Sequence, residues 1–357
     1  VIVEGAADTS QTDLEGATPL ELVRGVHLSA LAGAGSTGFL QWEDEEASVR
    51  YEYLLATLLG VARSEARVLR RGPVEAAALP VDPDRWTYAY RGNFVTLDEG
   101  SVRESRVSGL SHDETGWLVD ALRKDVKDEC VILEPVADAR LLVLFDRLAG
   151  DVDPGRFPYV GQRFPDEPER PRKHESDAER FMARTVKTLA GASLNEVRVD
   201  LGENPASILW LWGGGPPVAV TPPFGGPGHR AAMVTNSPLA RGMAALCGLD
   251  QVELGDPWAE AAQPELIEAG ALKKCIDDHD LTVLYVESPL EGGSFGSAVE
   301  KVRLLDRLDI QVLGRVRKAV EGMADVRVMV AAWPEEGVYL EETPVLLAGK
   351  QVASDRT

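Results

Sequence analysis

The chain has 357 residues, 44% of them hydrophobic and 27% charged, which is enough apolar material for two packed domains and too much for a disordered segment. Its 37 basic residues against 58 acidic ones leave a formal charge of −21, which disfavours association with DNA, RNA or anionic lipid through a basic surface. No apolar run approaches the roughly 18 residues of a membrane span, so a cytoplasmic protein with neither nucleic acid nor membrane as partner is expected.

In chain order, "VIVEG" reads as a first strand and "TPLELVRGVHLSALAG" as one helix. "GAGSTG" follows as a turn; its Ser36 and Thr37 lack the Lys-Ser/Thr pair of a phosphate loop. "EDEE" at residues 43 to 46 suits the approach to a helix N-terminus, where negative charge is favoured and a phosphorylated ligand would be repelled. Ser48 then opens the helix in "ASVRYEYLLATLLGVAR". From "WTYAYRGNFVTL" onward, strand patterns ("ECVILEP", "ARLLVLFDR") mix with helical ones ("ETGWLVDALRKDV", "SDAERFMARTVKTLAG"), an α+β texture broken by the loop "FPDEPERPRKHESD". "SILWLW" is a buried strand. The stretch "GGGPPVAVTPPFGGPGHR" after it has Gly or Pro at 11 of 18 positions and reads as a hinge re-entering the first domain.

Beyond the hinge the pattern becomes regular: strand "AAMVTN", helix "SPLARGMAALCGL", strand "QVELG", helix "PELIEAGALKKCIDDHD", strand "LTVLYV", a long helix, and strands "VRVMVAAW" and "PVLLAG". In the long helix Val302, Leu305, Leu308, Val312, Val316 and Val320 form one apolar stripe. Alternating β and α elements with uninterrupted apolar strands predict an α/β core whose mostly parallel sheet is covered by helices on both faces. The first strand joins this sheet, so the middle of the chain is an inserted α+β domain. The expected boundaries are 1–77, 78–205 and 206–357.

Chemistry is sparse. His27, His112, His174, His229 and His279 contain no H-x-H or H-x-x-x-H pair. Cys130, Cys247 and Cys275 contain no C-x-x-C, so neither a disulfide framework nor a thiolate zinc site is supported, and the three are expected as small buried hydrophobes. Arg70, Arg71, Arg91 and Arg230 sit beside turn residues, where a guanidinium can grip a carboxylate or phosphate with two hydrogen bonds.

Several of these stretches, in this order, resemble motifs of the archaeal-type cofactor-independent phosphoglycerate mutases: "VIVEGAAD", "TPLELVRGVHLSAL", "LLGVA", "RRGPVEAAAL", "YRGNFVTLDEG", "NPASILWLWGGG" and "LYVESPLEGG". The resemblance implies an alkaline-phosphatase-like core carrying an inserted domain. It also implies a centre of two metal ions held by Asp and His, which activates a serine for transient phosphorylation. At the positions of those ligands, however, the chain carries Glu4, Leu290, Ser294, Trp333 and Pro334. The nucleophile position falls on Tyr51, with Ser48 as the alternative under a gapped alignment. Arg71 and Arg91 match the family's arginines, and Arg230 stands where the family has lysine. The expectation is therefore a degenerate relative without metal, cofactor or mutase activity, serving as a scaffold or subunit for an unknown protein partner. The alternatives are a metal-independent enzyme or sensor holding a small anionic ligand through Arg71, Arg91 and Arg230, or an active mutase.

Overall fold

The structure, a computed structural model, describes residues 1–42, 50–126, 131–137, 139–148, 155–164, 176–224, 228–252, 269–287, 298–334 and 339–352. The chain divides into two compact units. One is formed by Val1–Val61, Thr221–Glu291 and Phe295–Thr357, and the other is built on Ala62–Val220. The strands are β1 (Ile2–Val3) and β2 (Gly35–Gln41) in the first unit. β3 (Tyr88–Asp98), β4 (Ser101–Glu104), β5 (Val131–Ala137), β6 (Arg140–Phe145) and β7 (Ile208–Gly215) belong to the second. β8 (Ala231–Val234), β9 (Asp250–Val252), β10 (Leu281–Val286), β11 (Arg327–Ala332) and β12 (Glu342–Gly349) return to the first.

In the first unit the seven described strands form one sheet in the order β2-β12-β11-β1-β10-β8-β9. The run from β11 to β9 is parallel, whereas β12 and β2 add antiparallel at the far edge. β1 lies beside β10, as the apolar opening and "LTVLYV" predicted. The period of two turns Ala232, Val234, Leu284 and Val286 to one face, where helices Ala269–Asp278 and Ala298–Leu308 supply Leu272, Cys275, Leu305 and Leu308 to a common core. Ile2, Met233, Val283 and Tyr285 alternate to the other face. Helix Pro238–Cys247 packs on β8 and on helix Tyr51–Leu58. The sheet is mixed α/β, in agreement with the expected class.

Two local expectations fail. "GAGSTG" is not a turn: Gly35–Gln41 is an edge strand paired with β12 along its whole length, and that long-range ladder overrides the turn-forming composition. The single helix expected over "TPLELVRGVHLSALAG" is two, Pro19–Leu22 and Val26–Gly33, because Gly25 takes a left-handed φ of 50°. A buried carboxylate restarts the chain there: Asp309 accepts from the backbone N–H groups of His27 at 3.0 Å and Leu28 at 2.7 Å. It thereby satisfies two of the orphan donors of helix Val26–Gly33. Asp309 opens a π-helical turn, Asp309–Leu313, between helices Ala298–Leu308 and Gly314–Val320.

In the second unit β4-β3-β6-β5 form an antiparallel sheet and β7 pairs with β3. One face, with Tyr90, Phe94, Leu141, Val143, Phe145, Leu209 and Leu211, packs on helices His112–Asp125 and Asp177–Ala190. Helix Arg71–Ala76 packs against β3 and β7, and it lies so near that a Cβ on Gly72 would stand 2.4 Å from the Ala89 carbonyl oxygen. The strand "SILWLW" and this helix therefore belong to the second unit, and the expected boundaries at 78 and 205 fall inside it. A sequence pattern shows that β7 is a buried strand; its partner is set by a cross-chain register, Arg91 opposite Trp212 and Asn93 opposite Trp210.

The Asp309 contacts predict that Asp309→Ala lowers the free energy of unfolding by about 2 kcal/mol and Asp309→Asn by about half as much. Urea denaturation with an unchanged m-value is the check; equal losses in the two variants would mean that the negative charge contributes nothing.

Candidate functional site

In the first unit the carboxyl ends of the parallel strands gather polar side chains that are almost wholly buried: Glu4 after β1, Glu287 after β10, and Glu52 on helix Tyr51–Leu58. Open α/β sheets place ligands at such ends. The backbone there is closely tied, with Glu4 N–H donating to Val286 O at 3.0 Å and Ala7 N–H to Trp333 O at 2.9 Å. Trp333, with no exposed surface, fills the end of β11. The Tyr51 ring stacks on it at 6.0 Å between centroids, and the Tyr285 ring meets it edge-on at 5.7 Å. Tyr285 donates its hydroxyl to Glu4, and Tyr51 donates its own to Pro334 O at 2.5 Å. Arg50 lies 3.7 Å from the Glu52 carboxylate. Four of the positions singled out by resemblance, Glu4, Tyr51, Trp333 and Pro334, thus come together. Ser48, Leu290 and Ser294 lie outside the described residues, as does Cys130.

In the second unit Arg71 and Arg91 are also brought together, through a residue the sequence reading passed over. Glu75 lies one helical turn after Arg71 and accepts from Arg71 Nε at 2.5 Å; its other oxygen accepts from Arg91. All three side chains are buried. The Arg71 guanidinium also lies 5.7 Å from the centre of the Trp212 ring, within cation–π range. The signal was present in "RRGPVEAAAL": an Arg and a Glu at i and i+4 face each other on a helix. Two guanidiniums thus converge on one carboxylate in a desolvated setting.

Arg230 belongs to the first unit, where its exposed guanidinium donates to Asp250 at 3.1 Å. Asp250 is held below the usual carboxylate range, mainly by the hydrogen bond from His279 at 3.0 Å and then by Arg230. Cys247 and Cys275 are buried, and burial pushes the Cys247 thiol up to about 12. The chain's second overlooked residue is Ser237, a buried serine before the proline that opens helix Pro238–Cys247.

A family described as 2,3-bisphosphoglycerate-independent phosphoglycerate mutase matches residues 57–195, the span that holds Arg71, Glu75 and Arg91. A protein of that name, numbered 2, from Methanothermobacter thermautotrophicus is 24% identical over 100% of this chain and 89% of its own length. The one from Methanopyrus kandleri is 26% identical over 90% and 79% respectively. The chain is thus similar to 2,3-bisphosphoglycerate-independent phosphoglycerate mutases along most of its length. Its fold agrees: a protein from Pyrococcus horikoshii superposes with a TM-score of 0.63 at 19% identity, covering 100% of this chain and 88% of that one. The cofactor-independent phosphoglycerate mutase of Thermoplasma acidophilum gives 0.50 at 21% identity, covering 99% and 91%.

These mutase relatives overturn the expectation of an inactive scaffold. Similarity that runs through both units, to proteins that share one activity name, points to a mutase. The expectation leaned on a few motif positions, whereas the similarity to named mutases runs over 89–90% of this chain. The dinuclear metal centre implied by the resemblance does not fit the described residues. No three His, Cys, Asp or Glu side chains among them group as metal ligands, and Trp333 and Pro334 stand at two of the implied positions. No chemical step is therefore drawn through a metal. Among the described residues, no helix is long and apolar enough to cross a membrane.

Two outcomes follow from these sites. Glu75→Gln should cost about 3 kcal/mol of stability, because it removes the carboxylate charge on which two buried guanidiniums converge. Replacing Arg71, Glu75 and Arg91 together with apolar residues of similar volume should cost less than that single change, as thermal denaturation of both variants would show. Cys247 should stay unmodified by a thiol reagent in the native protein at about pH 8, where a thiol raised this far holds almost no thiolate; mass spectrometry of the labelled protein is the check.

Proposed function

We propose that this protein is a phosphoglycerate-mutase-type enzyme that moves a phosphoryl group between hydroxyl oxygens of a small phosphorylated hydroxy acid. The observation that carries the reading is the similarity to named mutases along essentially the whole chain. Arg71 and Arg91 support it from the second unit. A phosphorylated acid brings two anionic groups, and phosphoryl transfer is catalysed mostly by positioning and charge stabilisation. In this role Glu75 fixes both guanidiniums, so that little side-chain entropy is lost when an anion docks.

The test is interconversion of 2- and 3-phosphoglycerate by the purified full chain, with magnesium and with manganese supplied in turn. Turnover is expected, and Arg91→Lys should lower kcat/KM by roughly tenfold to a hundredfold, the loss of one charge-assisted, geometrically fixed contact. A folded protein that interconverts neither acid with either ion would refute the proposal.

A further inference from the structure

The described part of the first unit holds one buried hydroxyl at a helix start for which the packing gives no structural use. Ser237 follows β8 at its carboxyl end and occupies the N-cap position of helix Pro238–Cys247, yet its side chain makes no cap hydrogen bond. Its Oγ is wholly buried and has no hydrogen-bond partner among the described residues. A hydroxyl left in this state carries a desolvation cost that evolution usually removes. Its backbone is held firmly: Ser237 N–H donates to Thr235 Oγ1 at 3.0 Å, and Thr235 Oγ1 donates to Tyr285 O at 3.0 Å, which ties the helix start to the end of β10. Pro238 has no N–H, so Leu239 and Ala240 carry the remaining amides of the first turn, and no acidic side chain stands in that turn to offset them. Other described helices start on a capping box, as at Ser111 with Glu114 and Ser176 with Glu179.

A ten-residue helix starting at a strand end, with an unused hydroxyl at its mouth, suits an oxyanion. One neighbour restricts which oxyanion. Glu287, two residues after Tyr285 on the adjoining strand end, is a buried carboxylate and would repel an anion that carries no proton. We propose that the N-terminus of helix Pro238–Cys247 and the Ser237 hydroxyl form a phosphate subsite that takes a phosphoryl group in its singly protonated form. Ser237 donates to one phosphoryl oxygen, the Leu239 and Ala240 amides face another, and the P–OH donates to Glu287. A phosphate ester retains that proton up to about pH 6, whereas sulfate has none to offer. The subsite depends on the mutase reading only for the identity of its biological ligand.

The experiment is thermal unfolding of the full chain at about pH 6, titrated with inorganic phosphate and with sulfate at matched ionic strength. Wild type should be stabilised by phosphate well beyond sulfate. Ser237→Ala, which removes an unpartnered hydroxyl, should be at least as stable as wild type without ligand and should bind phosphate about tenfold more weakly. Glu287→Gln, whose amide donates, should gain a response to sulfate. An equal response of wild type to both anions, which is a general salt effect, or an unchanged phosphate response in Ser237→Ala, would overturn the subsite. Binding is read here without turnover, so a protein that responds to phosphate but interconverts no phosphoglycerate would sink the mutase reading and leave this one standing.

Discussion

Two residues at the centre of a sheet hold the first unit together. Ile2 and Val3 lie between β10 and β11, bonded to both, and the chain around them is bonded again by Glu4 to Val286, Gly5 to Pro334 and Ala7 to Trp333. These ladders bring together strands that are more than 280 positions apart in sequence from Ile2, Tyr285 and Ala331 being its direct partners. They also set Glu4, Glu287, Tyr285 and Trp333 at one level, so the chemistry of the strand ends depends on this insertion. Without it the parallel run would be open between β10 and β11, and the facing edges of both strands would lose their ladder partners.

The opposite solution is used in the second unit. There an antiparallel sheet packs one face against two capped helices and gives part of the other to Arg71, Glu75, Arg91 and the Trp212 ring. A guanidinium pair cannot be left desolvated without a carboxylate, and a single carboxylate placed between them imposes a geometry on both. The cost of that burial is a reason to expect that the arrangement serves binding more than stability.

The sequence was most legible where one local pattern decides the outcome. Apolar strands such as "LTVLYV" and "VRVMVAAW", and the stripe from Leu305 to Val316, appear as read, since periodicity alone determines them. It was least legible where a distant partner decides. The glycines of "GAGSTG" suggested a turn, and β12 made them a strand. "SILWLW" was recognised as a buried strand, but its ladder with β3 assigned it to the other unit. Of the candidate site, Arg71 and Arg91 were named and their joining carboxylate was not; Ser237 gave only a Ser-Pro pair, which any helix start can carry. The inference of inactivity failed for a related reason: it rested on a handful of positions, whereas the similarity to mutases runs through the whole chain.

The π-helical turn at Asp309–Leu313 has a geometric consequence for the long segment that crosses the sheet. A turn of this kind widens the backbone ring from i→i+4 to i→i+5. Leu305 and Leu308 before it and Val316 and Ala319 after it still reach the same apolar core. The widening falls at the residue whose carboxylate holds the start of helix Val26–Gly33, so the irregular point of one helix and the first turn of another meet at Asp309.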